Sequence, residues 1–174
     1  EIEPAFEHIA AADLPLVEDG QASARVIMGS LWGATAPTTQ HSPTIYADLL
    51  MKAGASVPID ADAGEERGLI LALGAAELDG VAMIPHCLYV LEPGQNVRLK
   101  ATANELGAEA RVMLLGGDGF STKRHAWWNF VSSSRDRINK AKEDWRGGRF
   151  PKVPGDEAEH IPLPDGKPLT NSDG

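Results

Sequence analysis

Glu109-Ala110-Arg111-Val112-Met113-Leu114-Leu115 runs directly into Gly116-Gly117-Asp118-Gly119. A short apolar run closed by a glycine cluster reads as a β-strand leaving through a tight turn. The same unit recurs along the chain. Residues 25–32 set Val26, Met28 and Ser30 against Ile27 and Leu31, and 44–51, 68–73, 86–91 and 96–100 are likewise short and apolar or alternating. Turn residues bound them: Lys52-Ala53-Gly54, Gly74, Leu78-Asp79-Gly80 and Glu92-Pro93-Gly94. Glycine accepts positive φ and Pro93 presets a turn. Strands and helices do not alternate, which argues against a doubly wound sheet. The pattern predicts an all-β sandwich or jelly roll.

One helix is expected, over 134–146. Ser133 with Asp136 offers a capping box, and Ile138, Ala141 and Trp145 share one face. Asp136 and Lys140 make a favourably ordered i,i+4 pair, and Gly147-Gly148 stops the helix. Its apolar face is expected to pack onto the sheet. Just upstream, Arg124-His125-Ala126-Trp127-Trp128-Asn129-Phe130-Val131-Ser132-Ser133-Ser134 reads as the joint between sandwich and helix. From Pro151 the chain holds five of its 12 prolines with acidic residues between them, so it is expected to run extended, with frayed last residues. Ile161 and Leu163 are its candidate anchors. The expected division is an approach segment over 1–24, punctuated by Pro4, Pro15 and Gly20, a sandwich over 25–131, a helical segment over 132–150 and a tail over 151–174.

The 174 residues carry a formal net charge of -9. Such a surface repels phosphate backbones, so no direct nucleic-acid binding is expected. Arg135, Arg137, Lys140 and Lys142 alternate with Asp136, Glu143 and Asp144, which reads as a solvated helix face. No apolar run approaches the roughly 20 residues that span a bilayer, and no signal peptide is visible. The first residue is Glu1 rather than methionine, which suits a fragment or a processed product. The single cysteine, Cys87, excludes an internal disulfide and suits a reducing, cytoplasmic setting. Its apolar neighbours predict a buried small hydrophobe.

Chemistry is sparse. The histidines His8, His41, His86, His125 and His160 are never closer than 33 residues, so no local ligand pair exists. Asp60-Ala61-Asp62-Ala63-Gly64-Glu65-Glu66 is the densest acidic cluster. It fails as a calcium loop, because Glu65 stands where the turn glycine belongs and Leu71 where the last glutamate belongs. No serine has the spacing of a nucleophile elbow. Gly116-Gly117-Asp118-Gly119 lacks the lysine and helix of a phosphate loop. No catalytic or cofactor-binding residue is assigned.

The tryptophan run, Asp144-Trp145-Arg146-Gly147-Gly148-Arg149-Phe150, Val153-Pro154-Gly155-Asp156-Glu157 and Ile161-Pro162-Leu163-Pro164 resemble bacterial members of the pirin family. Arg25-Val26-Ile27-Met28-Gly29 and Thr44-Ile45-Tyr46-Ala47-Asp48 resemble the C-terminal domain of that family. The resemblance implies a bicupin, two β-sandwich domains in one polypeptide, with iron held by three histidines and a glutamate in the N-terminal domain. It associates the family with quercetin 2,3-dioxygenase activity and with regulation through protein contacts. This chain then corresponds to a cupin-like jelly roll with one C-terminal helix and an extended tail. On the cupin motif, carboxylates of Asp60, Asp62 and Glu66 stand where histidines and glutamate would bind metal, and 96–104 brings no further histidine. Three carboxylates suit a hard ion, which leaves these residues weak metal candidates. The expectations are a non-catalytic cupin that supports a metal-bearing N-terminal cupin and protein contacts, with no cofactor of its own. The alternative is half of an iron-dependent dioxygenase. Expected partners are the N-terminal cupin, a regulatory protein, and a second copy through an exposed face.

Overall fold

The computed structural model describes residues 5–103, 109–159 and 161–164. His160, residues 1–4, 104–108 and 165–174 lie outside the described residues, and with them the expected fraying of the tail. The chain divides into two units, 1–119 and 120–174.

Alternation builds the first unit. Its strands are β1 (Leu16–Glu18), β2 (Ala22–Met28), β3 (Ser30–Leu31), β4 (Ala34–Thr35), β5 (Thr44–Lys52), β6 (Ser56–Ile59), β7 (Glu65–Leu73), β8 (Ala75–Leu78), β9 (Val81–Ala82), β10 (Leu88–Leu91), β11 (Val97–Thr102) and β12 (Glu109–Asp118). A six-stranded sheet has the order β1-β2-β5-β12-β7-β10 and a four-stranded sheet the order β6-β11-β8-β9; β3 and β4 form a separate ribbon. The first two are antiparallel sheets sharing one core, a jelly-roll sandwich.

Every second residue points inward. Ala24 and Val26, Ala47, Leu49 and Met51, Leu69 and Leu71, and Val112 and Leu114 are buried from the large sheet. Val57, Ile59, Leu99 and Ala101 meet them from the small one. Burying each larger aliphatic side chain contributes about 1.5–3 kcal/mol, which makes this alternation the main stabilising pattern.

The sheet starts earlier than the sequence reading has it. β1 and the first residues of β2 lie inside the expected approach segment. β6 and β8 are short strands without a strong pattern. Pro58 fits β6 because that strand is an edge of its sheet. Cys87 is exposed, not buried. The residue before it, His86, has φ 63°, so the chain turns there and β10 begins only at Leu88.

Gly116-Gly117 does not end β12. The strand continues to Asp118, pairing Gly116 with Arg67 and Ile45, and Gly117 with Glu66 and Thr44. A Cβ at Gly116 would stand 2.1 Å from the Glu66 carbonyl oxygen, and one at Gly117 2.3 Å from that of Pro43. The glycines therefore permit close backbone approach inside a sheet, a role that composition does not distinguish from a turn.

The second unit holds β13 (His125–Trp127), β14 (Phe130–Ser132) and α1 (Arg135–Arg146). β13 and β14 form a hairpin with Trp127 opposite Phe130, and Trp128 between them has φ 52°. The hairpin belongs with the helix and not with the sandwich, so the division falls after Gly119 instead of after Val131. The apolar face of α1 meets β13 and β14. Ile138 is buried there, with Ala141 and Trp145 half-buried. Trp128 and Trp145 centroids are 5.2 Å apart, and Phe130 stacks on Phe150 at 5.7 Å.

The helix starts one residue later than expected. Ser134 is the N-cap with extended backbone and no side-chain capping bond, so the Ser133–Asp136 box does not form. Lys140 pairs with Asp144 at 2.7 Å, not with Asp136. Asp144 also binds Arg149 at 2.6 Å. The Lys140 hydrogen bond and then the Arg149 one hold its carboxyl below the usual range. At the C-terminus the Gly148 N–H donates to Trp145 O and the Arg149 N–H to Asp144 O, a Schellman closure with Gly148 at φ 64°. No helix among the described residues is long and apolar enough to cross a membrane.

Candidate functional site

The loops at 60–64 and 92–96 meet the end of β12 at Asp118-Gly119 at one end of the sandwich, where β6, β10 and β12 finish and β7 and β11 begin. A metal-bearing barrel would need convergent ligands. Asp60, Asp62 and Glu66 are instead all exposed. Among the described residues, no group of three or more His, Cys, Asp or Glu is placed to hold a metal. His8, His41 and His86 are exposed and His125 is half-buried.

Arg67 is the charged side chain that enters the interior. It follows the inward rhythm of Leu69 and Leu71, lies over Gly116, and is 8% exposed. Its Nη2 donates to Glu65 Oε2 at 2.6 Å, while Nε and Nη1 are buried without a partner among the described residues. Glu65 Oε2 also accepts the Asp62 N–H at 3.0 Å, which ties the loop to the strand. A guanidinium stays charged and offers no lone pair to a metal. Its charge is taken up by Glu65, so the pair offers a metal neither a guanidinium lone pair nor a free Glu65 Oε2. The residues present do not fit a bound iron. The sequence reading missed Arg67 because a strand arginine is normally solvent-facing; its in-phase spacing with Leu69 and Leu71 was the available signal.

The outer face of the large sheet differs. Pairing sets three rows of side chains across it. Val90, Gly68, Leu115 and Tyr46 form the first, and Leu88, Ile70, Met113, Asp48 and Arg25 the second. Leu73, Arg111, Leu50 and Ser23 form the third. Leu88 is 52% exposed, Val90 73% and Leu73 60%. Tyr46 and Leu50 are also exposed. Arg111 clasps Asp48 through both Nε, at 2.8 Å from Oδ1, and Nη2. The Asp48 hydrogen bond and its negative charge raise the Arg111 pKa. In the second unit, a groove of ≈ 500 Å³ is lined by Trp145, Phe150, Val153 and Ile161, where Trp145 Nε1 donates to Ile161 O at 2.8 Å. It presents no nucleophile–base pair.

A jelly roll with Arg67 in its interior and exposed aliphatic residues on the outer face of its large sheet is thus what known proteins must match in the first unit. The family model that matches is the pirin C-terminal cupin domain, over residues 46–151. The chain belongs to the pirin family. It is 38% identical over 166 residues to a pirin-like protein of Caulobacter vibrioides, covering 95% of this chain and 55% of that protein. It superposes with a TM-score of 0.78 on the crystal structure of a quercetin 2,3-dioxygenase from Acinetobacter baumannii, at 28% identity. That match covers 95% of this chain and 55% of the other. The pirin chain described here therefore spans about half the length of these relatives.

Proposed function

We propose that this pirin cupin is a non-catalytic domain that supports a metal-bearing cupin and offers a surface for protein contacts. The outer face of the large sheet carries the reading. Over residues 112–115 β12 is apolar on both faces, with Val112 and Leu114 inward and Met113 and Leu115 half-buried on the outer face. An antiparallel sheet with one solvated face normally alternates apolar-in with polar-out, and this run departs from that alternation. A contiguous exposed apolar face marks an interaction site. The interior, filled by aliphatic side chains and Arg67, supports the absence of a cofactor in this domain. The relatives are nearly twice as long as the matched stretch, which leaves room for an N-terminal cupin as the partner that would carry iron. A regulatory protein is a further partner for the same surface, and a cytoplasmic setting suits the lone exposed Cys87.

The second reading is that this chain is half of an iron-dependent dioxygenase similar to quercetin 2,3-dioxygenase. The likeness to the Acinetobacter baumannii protein supports it. Iron content and flavonol turnover, measured on this chain and on a version joined to a metal-bearing cupin, test both. The first reading expects neither in this chain. Turnover only in the joined form supports the second reading as well, and stoichiometric iron in this chain alone overturns the first.

A further inference from the structure

Resting on that reading of the outer face, we infer that the 174-residue chain pairs with a second copy of itself through the large sheet. The occupant is argued from the charges in the patch. Arg111 and Asp48 form a neutral pair near its centre, surrounded by Tyr46, Leu50, Ile70, Met113 and Leu115. A two-fold axis lying in the interface and crossing the middle of this pair sets each Arg111 over the other copy's Asp48. The four groups then alternate in sign, and the pair becomes shared. Isologous interfaces demand this kind of self-complementarity. A partner of one net charge would leave half of the pair facing a like charge.

The rest of the patch fits. Leu88 and Val90 are the exposed aliphatic residues of an edge strand, β10, whose four residues carry no charge. On the face, Arg25 is held by a hydrogen bond to the Ala11 carbonyl. The chain's net charge of -9 is not concentrated here, so the approach of two copies is not opposed at the contact. Two twisted sheets packed face to face align within about 30°. Five strands spaced about 4.8 Å give a patch about 20 Å wide. That is at the small end of specific interfaces, which suits a weak, concentration-dependent pairing.

The test is sedimentation equilibrium of the 174-residue chain over concentrations spanning about 1–200 µM, wide enough to follow such a pairing. A monomer–dimer equilibrium is expected. Leu88→Lys with Val90→Lys should weaken it at least about tenfold, since it places charges in the contact. Asp48→Arg and Arg111→Asp should each lose the dimer when alone, because like charges would oppose across the axis. Mixed in equal amounts, these two variants should recover a heterodimer, since both crossed pairs are again opposite in sign. That recovery cannot come from misfolded chains. A monomer at every concentration, or a dimer indifferent to these four substitutions, overturns the pairing. If the monomer nevertheless binds a metal-bearing cupin added in trans, and the Leu88→Lys, Val90→Lys variant does not, the docking-face reading stands while the self-pairing falls.

Discussion

The two units of this chain bury their apolar surface by different means. The first interleaves aliphatic side chains from two sheets, with Leu49, Leu69, Leu71, Leu99 and Leu114 almost fully enclosed. The second gathers Trp127, Trp128, Phe130, Trp145 and Phe150 around one hairpin and one helix, and Ile138 is its one buried aliphatic residue among those described. A small unit has too little interior for aliphatic layers. Large rings let it remove area with few residues. Left-handed backbone does not separate the units: Trp128 adopts it in the hairpin turn, and Trp32, Asp79 and His86 adopt it in the first unit.

The largest effect should come from the sheet backbone. Gly116→Val would place a side chain within 2.1 Å of the Glu66 carbonyl oxygen, so β12 and β7 would have to separate. A loss above about 4 kcal/mol is expected, seen as failure to recover folded protein or collapse of the denaturation midpoint. A well-folded Gly116→Val variant would show that the approach of these strands is dispensable. Leu114→Ala comes next. Full burial and a surrounding of strands that cannot close in predict a loss of about 3–5 kcal/mol in chemical denaturation. Trp145→Ala should cost less, about 2–3 kcal/mol, because the ring is only half-buried although it meets Trp128, Phe130 and Phe150. Its signature is faster amide exchange in β13, β14 and α1. If Trp145→Ala proved as costly as Leu114→Ala, the contrast between the units would be wrong.

The smallest effect is electrostatic. Asp144 has its pKa lowered by Lys140 and Arg149, so its contribution is present when pH exceeds its ordinary value of about 3.9 and fades as pH falls through the lowered value. Asp144→Asn should therefore slightly reduce helix protection at neutral pH, and that deficit should disappear in strong acid. A deficit that persists after full protonation would point to packing instead of charge.

The fold was legible where alternation was strong and bounded. β5, β7 and β12 follow from their patterns, and the helix from its face and its glycine stop. β6 and β8 were missed because four residues hold too few alternations to stand out. The Ser133–Asp136 box failed because Ser134 competes for the same cap position, and Asp136 lost Lys140 to an aspartate already held by Arg149. Gly116-Gly117 was misread because glycine serves turns and close approaches equally. The absence of a local ligand pair among the histidines was readable from spacing alone. Arg67 was harder to read: its spacing matches Leu69 and Leu71, but the expected strand began only at residue 68. The outer sheet face was half-readable: Met113 and Leu115 beside Val112 and Leu114 already departed from an apolar-in, polar-out alternation.

The proposal that this pirin cupin holds no metal of its own rests on Arg67, which occupies the interior, and on Asp60, Asp62 and Glu66, which face solvent. Iron per chain, measured by mass spectrometry after anaerobic reconstitution with ferrous iron and removal of the excess, tests it most directly. The account predicts far less than one iron per chain, unchanged by Asp60→Asn with Asp62→Asn. One iron per chain, lost in that double variant, would contradict it.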